Sequence, residues 1–272
     1  MLAYVQRPTP IYFIGDSFAL IFRDRVYQTN GAPPRAYQAR ILYQPGLALE
    51  HFSDAGGALH PGVQRALLAE GILVETDRGT EAYHTTSFLH WRQVAVAEGR
   101  PRKPPALVIL LGHFDVAAFE MREGLDLSFE MPPDCRPAPL PQALDARCIS
   151  LDYSLARFGE LVAPLIRGLG YLKDLGCSRI LVHSLQPMPV DGEALARNAL
   201  SRNATAPRYA AMILFNYVLE RACREAGVTF VDVWDELTAN GVLRDDLVHV
   251  DRVHLNERAA HISMERLLAA LE

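Results

Sequence analysis

Five short, largely apolar runs, each ending near turn-forming residues, are the feature that most constrains how this chain can fold. Unbroken apolarity over four to six residues is typical of strands buried on both faces, as in the middle of a parallel sheet. The five predicted strands are 10–14, 39–43, 106–111, 179–184 and 228–233. The first run, PIYFI, is followed by Gly15, and the third, ALVILL, by Gly112. The runs therefore predict a parallel sheet.

Segments with apolar residues at helical spacing lie between these runs. They predict helices over 18–26, 61–70, 153–175 and 207–226. The last two segments are followed by Gly176 and Gly227, the residue type that commonly ends a helix. Alternation of strand and helix predicts a three-layer α/β/α fold built on a doubly wound, five-stranded parallel sheet.

The chain is expected to form one domain over residues 1–272. That length suits a single large core, and half of the residues are hydrophobic. The stretches 47–105 and 124–144 are too long for simple crossovers, but neither has the sustained Gly/Ser composition of a linker. We therefore interpret both stretches as insertions at the edge of the domain.

The charge balance argues against polyanionic partners. The formal net charge is -5, whereas a grip on nucleic acid or on an anionic membrane needs a surplus of Lys and Arg. No run of about 18 uncharged apolar residues occurs, so no transmembrane helix is expected. The predicted partner is a small-molecule or glycan substrate, with neither nucleic acid nor membrane.

Four cysteines are too sparse to define a site. They form no CxxC pair and have no zinc-like spacing with histidine, so neither a structural metal nor a disulfide framework is indicated. The N-terminal residues lack the pattern of a secretory signal peptide. Reduced thiols and a cytoplasmic location are the expectation.

Candidate catalytic residues follow the first strand and lie near the C-terminus. In open parallel sheets ligands bind beyond the carboxyl ends of the strands, which is where Ser17 lies. Asp251 precedes His254 by three residues, close enough in a turn for its carboxylate to hold the Nδ1 proton of the imidazole. Each feature also has an ordinary structural explanation, a helix N-cap for the serine and a solvated loop for the DxxH. Together in a doubly wound domain they indicate a serine hydrolase.

At these residues the sequence resembles the SGNH hydrolases, the GDSL esterase and lipase superfamily. The first family block stands as Ile14-Gly15-Asp16-Ser17-Phe18 and the last as Asp251-Arg252-Val253-His254-Leu255-Asn256. The resemblance extends over essentially the whole chain and implies a flavodoxin-like strand order of 2-1-3-4-5. It also implies that Ser17 is the nucleophile, that His254 is the general base and then acid, and that Asp251 orients His254. The backbone N–H groups of Ser17 and Gly46 would form the oxyanion hole, without a cofactor or metal ion.

The third family block departs from its usual pattern. Where the family has Gly-x-Asn-Asp, this chain has Gly112-His113-Phe114-Asp115. Phe114 has no group to donate to an oxyanion, and losing one such donor typically lowers turnover by roughly 10²- to 10³-fold. Gly112, His113 and Asp115 stay candidate substrate-binding residues. His113 is the nearest alternative donor, and Asp115 is also suited to cap the following helix.

The sequence leaves two classes of function open. The first is a carboxylic ester hydrolase or acyltransferase, for example an O-acetyl esterase, acting on a glycan or small-molecule ester. The alternative is a non-catalytic or weakly active SGNH-like ligand-binding domain, motivated by Phe114. An α/β-hydrolase elbow would need a second glycine where Ala19 stands. His249 and His261 flank the DxxH, but their spacing matches no metal-binding pattern.

Overall fold

A six-stranded sheet forms the middle layer of the protein. The computed structural model describes residues 8–23, 25–29, 34–43, 47–76, 79–82, 105–124, 127–142, 145–189 and 205–272. Strands in these residues are β1 (Thr9–Gly15), β2 (Val26–Gln28), β3 (Ala36–Tyr43), β4 (Leu73–Thr76), β5 (Gly79–Ala82), β6 (Ala106–Leu110), β7 (Leu127–Phe129), β8 (Arg147–Ile149), β9 (Ile180–His183), β10 (Thr229–Val231), β11 (Thr238–Ala239) and β12 (Val242–Leu243).

Helices cover both faces of this sheet. They are α1 (Pro61–Ala69), α2 (His113–Glu123), α3 (Leu151–Asp174), α4 (Thr205–Glu225), α5 (Trp234–Leu237) and α6 (Glu257–Leu271), with 3-10 helices at Ser17–Phe22, Leu49–His51 and Asp245–Leu247. No helix in the described ranges is long and apolar enough to cross a membrane.

The strand order confirms the predicted topology. The sheet runs β2-β3-β1-β6-β9-β10, and all neighbours except β2 and β3 are parallel. Numbered along the chain, the five parallel strands therefore have the order 2-1-3-4-5. The strand β1 lies between its two partners with Gly15 opposite Tyr43 on one side and Leu110 on the other.

The sheet has one strand more than the five predicted. The helix expected over 18–26 is a 3-10 helix that ends at Phe22, after which β2 pairs antiparallel with β3. Tyr27 is buried, while its neighbours Val26 and Gln28 are exposed. This one-sided burial is typical of an edge strand. An alternation of only three residues is too short to separate from helical spacing in the sequence.

Alternate residues of β1 show that the fold has three layers. Tyr12 and Ile14 face a core built with α1, α2, α3 and α4. Ile11 and Phe13 face the opposite core, built with the 3-10 helix Ser17–Phe22, α5 and α6. Burial on both faces explains why the strand is continuously apolar. The predicted α/β/α architecture is thus confirmed.

Both predicted insertions contain regular structure in their described parts. The first holds α1 and the antiparallel hairpin β4–β5. Val63 and Leu67 of α1 and Leu73 of β4 belong to the same core as Ile14. The second holds β7, which pairs in parallel with β8, just after that stretch. Residues 83–104 of the first stretch lie outside the described residues. The one-domain division stays a prediction.

Gly15 allows three backbone segments to meet at the end of β1. A Cβ atom there would lie 2.6 Å from the carbonyl oxygen of Leu110 and 2.8 Å from Cβ of Ala19. Both distances are shorter than a real Cβ contact, and the carbonyl belongs to a paired strand. The close approach of β6 and the 3-10 helix therefore requires glycine directly before Asp16 and Ser17.

We predict that Gly15→Ala lowers the free energy of unfolding by about 1–3 kcal/mol, the usual cost of forcing a methyl group into a packed interior. Gly170→Ala is the matched control. Among the described residues, nothing beyond the adjoining backbone of α3 lies within 4 Å of a Cβ at that position, and alanine there should stabilise the helix by roughly 0.5–1 kcal/mol. Urea denaturation of the two variants and the unchanged protein measures both effects. A Gly15→Ala protein as stable as the unchanged protein would contradict the close approach.

Asp115 ties the segment after β3 to the first turn of α2. Its two carboxylate oxygens lie 3.0 and 3.2 Å from the backbone N–H of Leu49, which donates to them. Burial raises the pKa of Asp115 to about 6, with the Leu49 N–H opposing and the charges of Glu50 and Asp16 adding to the rise. The residue thus holds residues 47–49 beside the carboxyl edge of the sheet.

We predict that Asp115 makes stability depend on pH between about 4 and 6. Because its pKa is higher in the folded than in the unfolded chain, the folded protein binds its proton more tightly, so its contribution is complete below about pH 4 and is lost as pH rises through about 6. The free energy of unfolding of the unchanged protein minus that of Asp115→Asn should fall over this range by a few kcal/mol, at about 1.4 kcal/mol per pKa unit. A difference that stays constant from pH 4 to 8 would contradict the burial of this carboxyl.

Candidate active site

Ser17 lies where β1 ends, as the first residue of the 3-10 helix Ser17–Phe22. The preceding residue, Asp16, caps this helix: its Oδ1 accepts the N–H of Phe18 at 2.9 Å. Burial raises the pKa of Asp16 to about 6, against the opposing effects of the Phe18 N–H and of nearby His254. The cap fixes the turn in which Ser17 sits.

Asp251 and His254 lie together in a turn before α6. The turn is closed by a β-bridge between Val248 and Leu255. Asp251 Oδ1 accepts the N–H groups of Val253, at 2.9 Å, and His254, at 3.0 Å. Its Oδ2 lies 2.8 Å from His254 Nδ1. Partial burial opposes ionisation, but these hydrogen bonds outweigh it and hold the pKa of Asp251 well below its usual range.

The tertiary structure brings Ser17 to this turn across 237 positions of the sequence. His254 Nε2 lies 3.1 Å from Ser17 Oγ. A carboxylate can only accept a hydrogen bond, so Asp251 selects the tautomer with its proton on Nδ1. The Nε2 lone pair is then free to take the proton of the Ser17 hydroxyl. Such a chain of three groups can activate a serine for attack on a carbonyl carbon.

The third block is buried around His113 and exposed at Phe114. The His113 ring stacks face to face on Phe18, with 3.8 Å between ring centroids. Its Nε2 lies 3.1 Å from the backbone nitrogen of Gln186 and 3.2 Å from the carbonyl oxygen. Burial lowers the pKa of His113 to about 3, so the ring is neutral. Phe114 is 45% exposed and leaves its ring outside the core.

Gly112 begins α2 with a left-handed backbone, at φ +120°. A Cβ there would meet the Phe215 ring at 2.9 Å, so this turn also needs glycine. Of the predicted site residues, the structure therefore joins Ser17, Asp251 and His254 directly, and it makes Gly112 and His113 parts of the packed floor beside them. Asp115 is the anchor of Leu49 described above.

The predicted oxyanion donors are only partly described. Ser17 N–H belongs to the first residue of its helix, a position whose N–H has no partner within the helix. Gly46 lies outside the described residues, as do the neighbouring residues 44 and 45. The described chain resumes at 47, two residues before Leu49, whose N–H is held by Asp115.

A cleft of about 410 Å³ opens beside Ser17 and His254. Its lining combines apolar and charged side chains from the first 3-10 helix and the segment after it, from the turn before α6 and from the start of α6: Leu20, Ile21, Arg23, Arg25, His249, Asp251, Leu255, Asn256 and Glu257. Sequence reasoning did not single out the lining from the first helix, because the side facing His254 is set by how α6 packs. The loop 185–189, which follows β9, has Leu185 and Gln186 fully buried.

Comparisons with known proteins find similarity in structure. No family model matches the sequence, and no curated protein does. A lipase/acylhydrolase from Enterococcus faecalis is 13% identical over 97% of this chain and 94% of its own, with a TM-score of 0.41. A GDSL-like lipase from Bacteroides thetaiotaomicron is 13% identical over 97% of this chain and 87% of its own (TM-score 0.43). A variant of an acetyl-xylooligosaccharide esterase from Geobacillus is 16% identical over 97% and 95% (TM-score 0.39).

The fold and the two motifs agree with one another. The parallel strands have the order 2-1-3-4-5, the serine follows the first of them, and the DxxH turn precedes the last helix. By this strand order and these motif positions, the chain has the fold of the SGNH hydrolases that its sequence resembles.

Proposed function

We propose that this protein hydrolyses carboxylic esters through an acyl-serine intermediate on Ser17. The observation that carries the proposal is the continuous hydrogen-bond chain from Ser17 Oγ to His254 Nε2, at 3.1 Å, and from His254 Nδ1 to Asp251 Oδ2, at 2.8 Å. Both distances are within hydrogen-bond reach, although the serine and the histidine come from opposite ends of the chain.

The proposed first step forms the acyl-enzyme. Ser17 Oγ attacks the ester carbonyl carbon while its proton passes to His254 Nε2, and Asp251 stays ionised to stabilise the imidazolium. When the tetrahedral intermediate collapses, the bond to the leaving oxygen breaks and that oxygen takes the proton from Nε2. Water then attacks the acyl-serine with His254 as base, which releases the acid and regenerates Ser17.

The proposed oxyanion hole consists of the backbone N–H groups of Ser17 and Gly46. Phe114 replaces the side-chain amide that the resemblance predicts, so the backbone donors carry the stabilisation alone. The Asp115–Leu49 hydrogen bonds support this assignment, because they anchor the chain three residues after Gly46.

The proposed substrate is a small-molecule or glycan ester, with O-acetyl groups among the acyl groups considered. The cleft of about 410 Å³ beside the triad is within the usual size range of small-ligand sites, roughly 300–1,000 Å³. Transfer of the acyl group to another hydroxyl would use the same intermediate, with that hydroxyl in place of water. We place the reaction in the cytoplasm, as expected from the sequence.

The second candidate is a ligand-binding domain with little or no turnover. The observation that favours it is Phe114, which leaves the third block without its oxyanion amide. The connected triad favours the enzyme instead, since a binding site has no physical need for a serine, an imidazole and a carboxylate in hydrogen-bonded series.

A fluorophosphonate probe separates the two candidates. We expect it to label the unchanged protein covalently at Ser17, because the activated Oγ attacks phosphorus as it attacks a carbonyl carbon. Ser17→Ala should not be labelled, and Ser201→Ala provides a second serine substitution as control. Intact-protein mass spectrometry measures the adduct. A folded but unlabelled unchanged protein would favour the binding domain.

We predict that losses from triad substitutions do not add. Ser17→Ala and His254→Ala should each remove nearly all hydrolysis of p-nitrophenyl acetate, and the double variant should lose little more, because nucleophile and base act as one unit. In serine hydrolases either loss alone can cost on the order of 10⁶ in turnover. Asp251→Ala should cost less, since His254 still accepts a proton when less well oriented. A Ser17→Ala protein that retains most of its activity would overturn the mechanism.

A further inference from the structure

A second imidazole faces the carboxylate of the triad. His249 Nδ1 lies 3.2 Å from Asp251 Oδ2, the same oxygen that lies 2.8 Å from His254 Nδ1. The Asp251 N–H also points to His249 Nδ1, at 3.3 Å. The backbone holds the arrangement, because His249 N–H donates to the carbonyl of His254 at 2.8 Å across the Val248–Leu255 bridge. Asp251 is thus shared between two histidines of one turn.

One ring nitrogen cannot serve both contacts at the same time. When His249 is neutral, the lone pair of its Nδ1 accepts a hydrogen bond from the Asp251 N–H, and the ring makes no hydrogen bond to the carboxylate through that nitrogen. As a protonated donor, Nδ1–H binds Oδ2 and gives up the Asp251 N–H. When His249 is neutral, Asp251 Oδ2 is therefore fully available to His254. When His249 is protonated, the same oxygen is already hydrogen-bonded to a cation.

We propose that His249 is a positioning residue for the triad. When neutral, His249 leaves Asp251 Oδ2 free to accept the Nδ1 proton of His254; when protonated, it competes with His254 for that oxygen. The inference rests on the proposed function for its effect on catalysis. It assigns a role to a histidine whose spacing in the sequence matched no metal-binding pattern.

The other charged groups on this cleft do not replace His249 at Asp251. Arg23 and Arg25 line the cleft from the segment after the first 3-10 helix, and Glu257 lines it from α6. Arg25 is paired with Glu257. His261, one turn along α6, faces Glu257 and the Tyr27 ring instead. In the described ranges, the ion-pair contacts of Asp251 are those with His249 and His254.

The kinetic consequence is a steep loss of activity in acid. Imidazoles change charge between about pH 5 and 8, and a protonated His249 opposes catalysis in addition to protonation of the base. The acid limb of kcat/KM should therefore be steeper for the unchanged protein than for a variant without the His249 imidazole. Asp16, whose pKa burial raises to about 6 beside His254, is present in both proteins and does not affect this comparison.

His249→Asn tests this consequence. The Asn side chain keeps an acceptor near the place of Nδ1 for the Asp251 N–H, but it cannot take a proton. We expect the acid limb of kcat/KM on p-nitrophenyl acetate, with each protein scaled to its own value at pH 8, to be shallower than for the unchanged protein. His261→Asn, a nearby exposed histidine, should keep the steeper limb. Parallel acid limbs for His249→Asn and the unchanged protein would overturn the proposal.

A titration that needs no turnover separates this proposal from the proposed function. With ¹³Cε1-labelled histidine, the curve of the His254 ring resonance against pH should differ between His249→Asn and the unchanged protein, because a competing positive charge a few ångströms away has been removed. His261→Asn should leave the curve unchanged. Superimposable His254 curves in His249→Asn and the unchanged protein would overturn the positioning role, whereas an inactive protein with coupled curves would overturn only the esterase.

Discussion

The rest of the structure depends on β1 being buried on both faces between β3 and β6. Its alternate side chains enter two separate cores, and its end approaches the Leu110 carbonyl so closely that only glycine fits at position 15. Strand order, the covering helices and the direction in which the chain leaves the sheet all follow from this packing. Ser17 comes two residues after that point, so the place of this serine is set by the packing of the central strand.

The carboxylate of Asp251 organises the other half of the site through local hydrogen bonds. It accepts two backbone N–H groups of its own turn and the Nδ1 proton of His254, and these bonds keep it ionised despite partial burial. The turn is joined to the serine by packing: the Phe18 ring lies 5.2 Å from the His254 ring, and Phe18, Leu255 and Ala259 share one core. The turn and the serine are therefore already in hydrogen-bond contact, as the proposed mechanism requires.

The third block of this chain keeps a structural task and lacks the task of donating to an oxyanion. Asp115 keeps the structural task, since its carboxylate holds Leu49 and the segment that follows Gly46. Phe114 drops the donor task, because its ring is half exposed and has no polar group. His113 does not replace this donor, because its neutral ring is buried and stacks on the Phe18 ring. In the proposed enzyme, the third block therefore anchors Leu49 through Asp115 and supplies no side-chain donor at position 114.

The sequence by itself determined the features that depend on neighbouring residues. Largely apolar runs located the five parallel strands, and Gly176 and Gly227 marked helix ends. The three-residue spacing of Asp251 and His254 placed a carboxylate and an imidazole in one turn. Only the tertiary structure decided what joins distant segments: the antiparallel pairing of β2, the 3.1 Å contact of Ser17 with His254, and the inward ring of His113 against the outward ring of Phe114. Local periodicity and hydrogen bonding act over a few residues and are written in the sequence. Contacts between segments depend instead on which faces pack together, and a single residue pattern is compatible with several such packings.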